Sequence, residues 1–82
     1  MAGVNPVRAV VETVVRALVD HPDAVQVSES ERRGMTVLEL RTAPGDTGKI
    51  IGRQGRTVAA LRTLVALTAE KHGTRAQLDI KD

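Results

Sequence analysis

The stretch Gly48-Lys49-Ile50-Ile51-Gly52-Arg53-Gln54-Gly55-Arg56-Thr57-Val58 holds the residue types and spacing that could do chemistry. Two isoleucines lead into Gly-x-x-Gly, and the pair between the glycines is polar and basic. At Gly52 and Gly55 the missing side chain would let the main chain approach a sugar–phosphate backbone closely, with free amides pointing outward. Gly55 also opens a helix, whose unpaired N–H groups and positive dipole end favour a phosphate. Lys49, Arg53, Arg56 and Arg62 would add salt-sensitive attraction to phosphates regardless of base sequence. Gln54 would contribute a hydrogen bond. Bases would then need an aliphatic groove, which Ile50, Ile51, Val58 and the preceding strand are placed to line.

Charge supports this segment as the centre of activity. The 82-residue chain carries a net charge of only +2, but five basic residues fall between Arg41 and Arg62 against Asp46 alone. Composition narrows the chemistry further. There is no Phe, Tyr or Trp, so the core must come from twelve Val, seven Leu, three Ile, two Met and ten Ala. An aromatic platform on which bases stack is therefore excluded. The absence of cysteine excludes disulfides, iron–sulfur clusters, thiolate zinc sites and a cysteine nucleophile. The first residues do not read as a secretory signal and no apolar run is long enough to span a membrane, so a cytoplasmic protein is expected.

Other site patterns fail on their own terms. A nucleotide-binding P-loop ending at Gly48-Lys49 needs glycine where Ala43 stands and Ser or Thr where Ile50 stands. A dinucleotide fingerprint needs glycine where Ile50 stands. His21-Pro22-Asp23 matches the tripeptide of J-domain cochaperones, but the residues after it alternate as a strand, so the second helix is missing. His21 and His72 instead suit helix C-termini. Two histidines without a third ligand make no metal site, and nothing suggests a catalytic triad, a cofactor or an enzyme. Without its isoleucines and charges, the Gly52–Gly55 turn would read equally well as a plain connection between two helices.

The elements that must position the loop follow from periodicity. Asn5-Pro6 starts a helix that carries Val7, Val10, Val11, Val14, Val15 and Leu18 at helical spacing and ends before Pro22. Val25 and Val27 alternate in a strand, Glu29 to Gly34 reads as a polar turn, and Met35 to Thr42 alternates as a second strand. Asp46 can cap a short helix that Gly52 stops. A longer helix runs from near Arg56 to about His72, with Gly73 as its stop, and Ala76, Leu78 and Ile80 alternate in a closing strand. The order α-β-β-α-α-β predicts one α+β domain over residues 1–82, with helices on one face of a three-stranded sheet. The crossover from second to third strand suits a parallel pair.

The long helix carries more apolar surface than one core contact requires. Leu67, Ala60, Leu64, Thr68, Leu61, Val65, Val58 and Ala69 fill about 200° of its circumference. Either the N-terminal helix covers the excess or a second chain does, through an interface centred on Ala60, Leu64 and Leu67.

With Ile-Ile-Gly-x-x-Gly-x-x-Val between two helices in this strand order, the chain resembles the KH family in its type II arrangement. Over nearly its whole length it is similar to the small single-domain bacterial KH proteins of the KhpA group. Val19-Asp20-His21-Pro22, Val25-Gln26-Val27 and Pro44 to Thr57 carry the likeness. The resemblance implies sequence-tolerant binding of single-stranded RNA, an RNA-chaperone-like role in post-transcriptional control, and a link to cell elongation and cell shape. It also implies a homodimer, or a heterodimer with a larger KH-containing protein of the KhpB type. The competing reading is a dimerisation module on a KH fold with weak nucleic-acid contact.

Overall fold

A computed structural model describes residues 5–81; the first four residues, on which part of the reading against a signal peptide rests, lie outside them. Helix α1 spans Pro6–Leu18 and starts as its residues dictate, with the Asn5 side chain accepting the Val7 N–H at 2.9 Å. Val7, Val11 and Val15 recur every fourth residue and have no exposed surface. Leu18 is exposed, against the expectation that it completes the stripe. The chain leaves the helix there, and extended Val19 turns into the core in its place.

Strand β1 (Gln26–Arg32) and strand β2 (Met35–Arg41) form an antiparallel hairpin, with Arg32 opposite Met35 and Val27 opposite Leu40. The polar stretch from Glu29 is therefore strand, and the turn contracts to Arg33 and Gly34, both with φ > 0 as primed hairpin turns require. The reason is positional. β1 is an edge strand with only Val27 buried, so polar residues suit the rest of its length.

Strand β3 (Arg75–Lys81) pairs parallel with β2, Leu38 against Leu78, so β2 is central. The crossover consists of helix α2 (Thr47–Ile51) and helix α3 (Arg56–Lys71). α3 ends at a paired C-terminal motif in which Gly73 N–H bonds Glu70 O and Thr74 N–H bonds Ala69 O, at 3.1 and 2.9 Å. The α+β arrangement expected for a KH-like chain is thus present: three helices and a three-stranded mixed sheet.

Val27, Leu38, Leu40 and Leu78 meet Val7, Val11, Val15, Ile50, Leu61, Val65 and Ala69 in one core. Each buried Val or Leu contributes about 1.5–3 kcal/mol, so many small aliphatics do what a few aromatics do elsewhere. No helix among the described residues is long and apolar enough to cross a membrane. α3 buries Val58, Leu61, Val65 and Ala69 but leaves Leu64 41% and Leu67 58% exposed. α1 packs against α3 without covering them.

Candidate nucleic-acid interface

Between α2 and α3 the chain makes one tight turn. The Gly52 N–H closes α2 on Gly48 O at 2.9 Å, and the Gly55 N–H returns to Gly52 O at 3.1 Å. The Arg56 N–H bonds Arg53 O. The amides of both glycines are therefore engaged inside the turn, which corrects the expectation that they point outward. Gln54 (φ 58°, ψ 26°) and Gly55 (φ 72°, ψ 15°) are consecutive left-handed residues that reverse the chain. A side chain in that region is uncommon, and Gln54 there is held by the Arg56 guanidinium, whose Nη2 donates to its Oε1 at 3.1 Å.

The two glycines serve different needs. Gly52 lies at φ 74° and ψ 172°, a region essentially reserved for glycine, and a Cβ there would run into Thr57. Its missing side chain makes room for the protein itself. At Gly55 a Cβ would meet nothing within 4 Å, so the open approach exists at this glycine only. Immediately after it, α3 begins with neither an acidic residue in its first turn nor a capping side chain. Neither its first turn nor its cap therefore neutralises its positive end.

The basic segment separates in space. Arg53 and Arg56 are exposed and have no acidic partner among the described residues. Lys49 is already occupied: its Nζ lies 3.1 Å from Asp20 and 3.8 Å from Asp46. The hydrogen bond and charge of Asp20 hold its pKa above the usual lysine value. Arg62 leaves the loop altogether and donates from Nε and Nη2 to Leu78 O on β3, each at 3.4 Å. Of the four expected phosphate contacts, Lys49 and Arg62 are thus turned to partners elsewhere in the fold, while Arg56 bonds Gln54 within the turn.

The expected aliphatic groove is also reduced. Ile50 has no exposed surface and belongs to the core, because the short α2 must turn one residue inward to be anchored. Val58 is 7% exposed, whereas Ile51 is 38% exposed beside the turn.

Asp46 is the residue that sequence reasoning misplaced. It precedes α2 but makes no capping bond to it. Its buried carboxylate instead accepts the N–H of His21 at 2.9 Å and of Asp20 at 3.3 Å, with His21 Nδ1 at 3.2 Å. Burial opposes its ionisation, but these donors prevail and hold its pKa below the ordinary carboxylate value. His21 accordingly turns to Asp46, and not to the carbonyls of α1. The cluster fixes the connection after α1 to the base of the loop. A clue was present, since Asp46 is the only acid between Arg41 and Arg62.

Residues 8–80 match the family model described as KhpA/KhpB, KH domain. The RNA-binding protein KhpA of Halalkalibacterium halodurans is 48% identical over 75 residues, which are 92% of this chain and 99% of the relative. That of Caldanaerobacter subterraneus is 47% identical over 70 residues, 85% of this chain and 93% of the relative. That of Leifsonia xyli is 51% identical over 70 residues, 84% and 88% respectively. With the helix–turn–helix loop, the parallel β2–β3 pair and this similarity along nearly the whole chain, the protein belongs to the KhpA/KhpB family of KH domains.

Proposed function

We propose that this chain is a non-catalytic RNA-binding protein, one KH module that holds single-stranded RNA at the Gly52–Gly55 turn in the cytoplasm. One observation carries the reading: Arg53 and Arg56, both without acidic partners among the described residues, flank an open glycine at the start of α3, whose first turn holds no acidic residue. Arg53 and Arg56 engage phosphates, Gly55 admits the backbone, Gln54 donates a hydrogen bond, and Ile51 offers apolar surface to a base. The relatives named RNA-binding protein KhpA support the ligand class. Hold without readout suits a chaperone-like role, in which many strands are bound loosely. Protein purified without nuclease should carry nucleic acid. The chain has no Tyr or Trp, so ultraviolet absorbance reports that cargo directly, and its absence from undigested preparations argues against the proposal.

A second reading concerns assembly, and the exposure of Leu64 and Leu67 favours it. We infer that Ala60, Leu64 and Leu67 form a contact between two copies of this chain, with a KhpB-type KH protein as the alternative partner. Without aromatic stacking, worth about 1–3 kcal/mol per base, one domain binds weakly, and pairing two raises avidity.

A further inference from the structure

The face of the sheet away from the helices is not uniformly polar. By strand alternation Val37 sits on that face, opposite to Leu38 and Leu40, yet it is only 3% exposed. It floors an open depression of about 540 Å³ lined by Arg32, Arg33, Met35, Val37, Arg75 and Gln77. Strand register explains the assembly: Met35 pairs with Arg32 on one side and Arg75 on the other. Cross-strand neighbours of this kind stand about 5 Å apart on one face. Three arginines therefore border it without any acidic residue in the lining, and none has an acidic partner among the described residues.

Arg33 adds an independent observation. It occupies the first turn position of the hairpin with φ 52°, where Gly, Asn or Asp fit at lower cost. A long cation kept at a strained position points to a use for its charge.

We propose that this depression is a second phosphate-binding site, and that its occupant is the backbone of the same single-stranded RNA held at the Gly52–Gly55 turn. The inference rests on the RNA-binding reading above. Guanidinium forks match phosphate oxygens in pairs, and Met35 with Val37 gives an adaptable apolar floor for a sugar or a base face. The turn precedes α3 and Arg75 follows it, so the sites stand at opposite ends of a sixteen-residue helix, about 24 Å apart. A strand anchored at one site is presented to the other at high effective concentration.

The test compares a uridine oligonucleotide of about four nucleotides, the length that a KH loop clamps, with one roughly five times longer. The variant Arg32→Gln/Arg33→Gly/Arg75→Gln should bind the short RNA as the parent does. It should lose about ten-fold in affinity for the long one, with a salt slope smaller by about 0.7 for each phosphate contact removed. Arg33→Gly alone should raise the thermal midpoint while weakening long-RNA binding, an opposition that a purely structural arginine would not produce. Unchanged affinity and slope for the long RNA in the triple variant would overturn the proposal, as would retention by this face of an acidic protein in place of RNA. The loop reading is judged separately: Arg53→Asp/Gln54→Asp should weaken both oligonucleotides, and if it spares both, that reading fails while the sheet site is still decided by the triple variant.

Discussion

Gly52 and Thr57 are packed so closely that a Cβ on residue 52 would overlap Thr57 Oγ1 and lie 2.6 Å from its Cβ and 2.9 Å from its main-chain nitrogen. The turn is therefore braced from within at its first glycine and open at its second. Gly52→Ala should destabilise the fold by about 3–4 kcal/mol, combining backbone strain with overpacking. Gly55→Asn should cost under about 1 kcal/mol, since Asn tolerates the left-handed region. Urea unfolding of the two variants checks the order, and equal losses would contradict it.

The Asp46 cluster predicts an acid limb. Its folded pKa is lowered, so its contribution to stability is fully present above the unfolded carboxylate value of about 3.9 and is lost as pH falls towards the lowered folded value. Asp46→Asn should be less stable than the parent at neutral pH. It should also lose stability less steeply below about pH 4, as thermal midpoints measured across that range would show.

Lys49 yields a prediction about affinity. Asp20 competes with any phosphate for its ammonium group at 3.1 Å. Asp20→Asn should strengthen RNA binding at low salt and steepen the salt slope by about 0.7, the value of one added contact with a single strand. Titrations with labelled RNA at several salt concentrations measure both.

These contacts show what could be read from residues alone and what could not. The cap at Asn5, the valine stripe, the stop at Gly73 and the glycine turn all depend on neighbours within a few positions, and each is visible as a local pattern. The parallel crossover pairs distant residues and was legible only through the order of the elements. The partners of Asp46, Lys49 and Arg62 lie far along the chain: Asp46 bonds Asp20 and His21, and Arg62 reaches Leu78. Periodicity carries no information about such pairs. It also misjudged β1, because an edge strand does not need the apolar alternation by which strands are recognised.

The exposed leucines of α3 give a test of assembly. Leu64→Lys/Leu67→Lys should leave the stability of the isolated chain within about 0.5 kcal/mol per substitution, since both side chains face solvent in the single chain. Sedimentation at high micromolar concentration should show the parent as a dimer and the variant as a monomer. A parent that sediments as a clean monomer contradicts self-association.

If the turn between α2 and α3 holds single-stranded RNA, the double variant Arg53→Asp/Gln54→Asp should disable it. Binding of a labelled RNA of about four nucleotides, too short to reach a second site, should be lost or strongly weakened while the circular dichroism spectrum stays native. Undiminished binding by a folded double variant would contradict the assignment of the site.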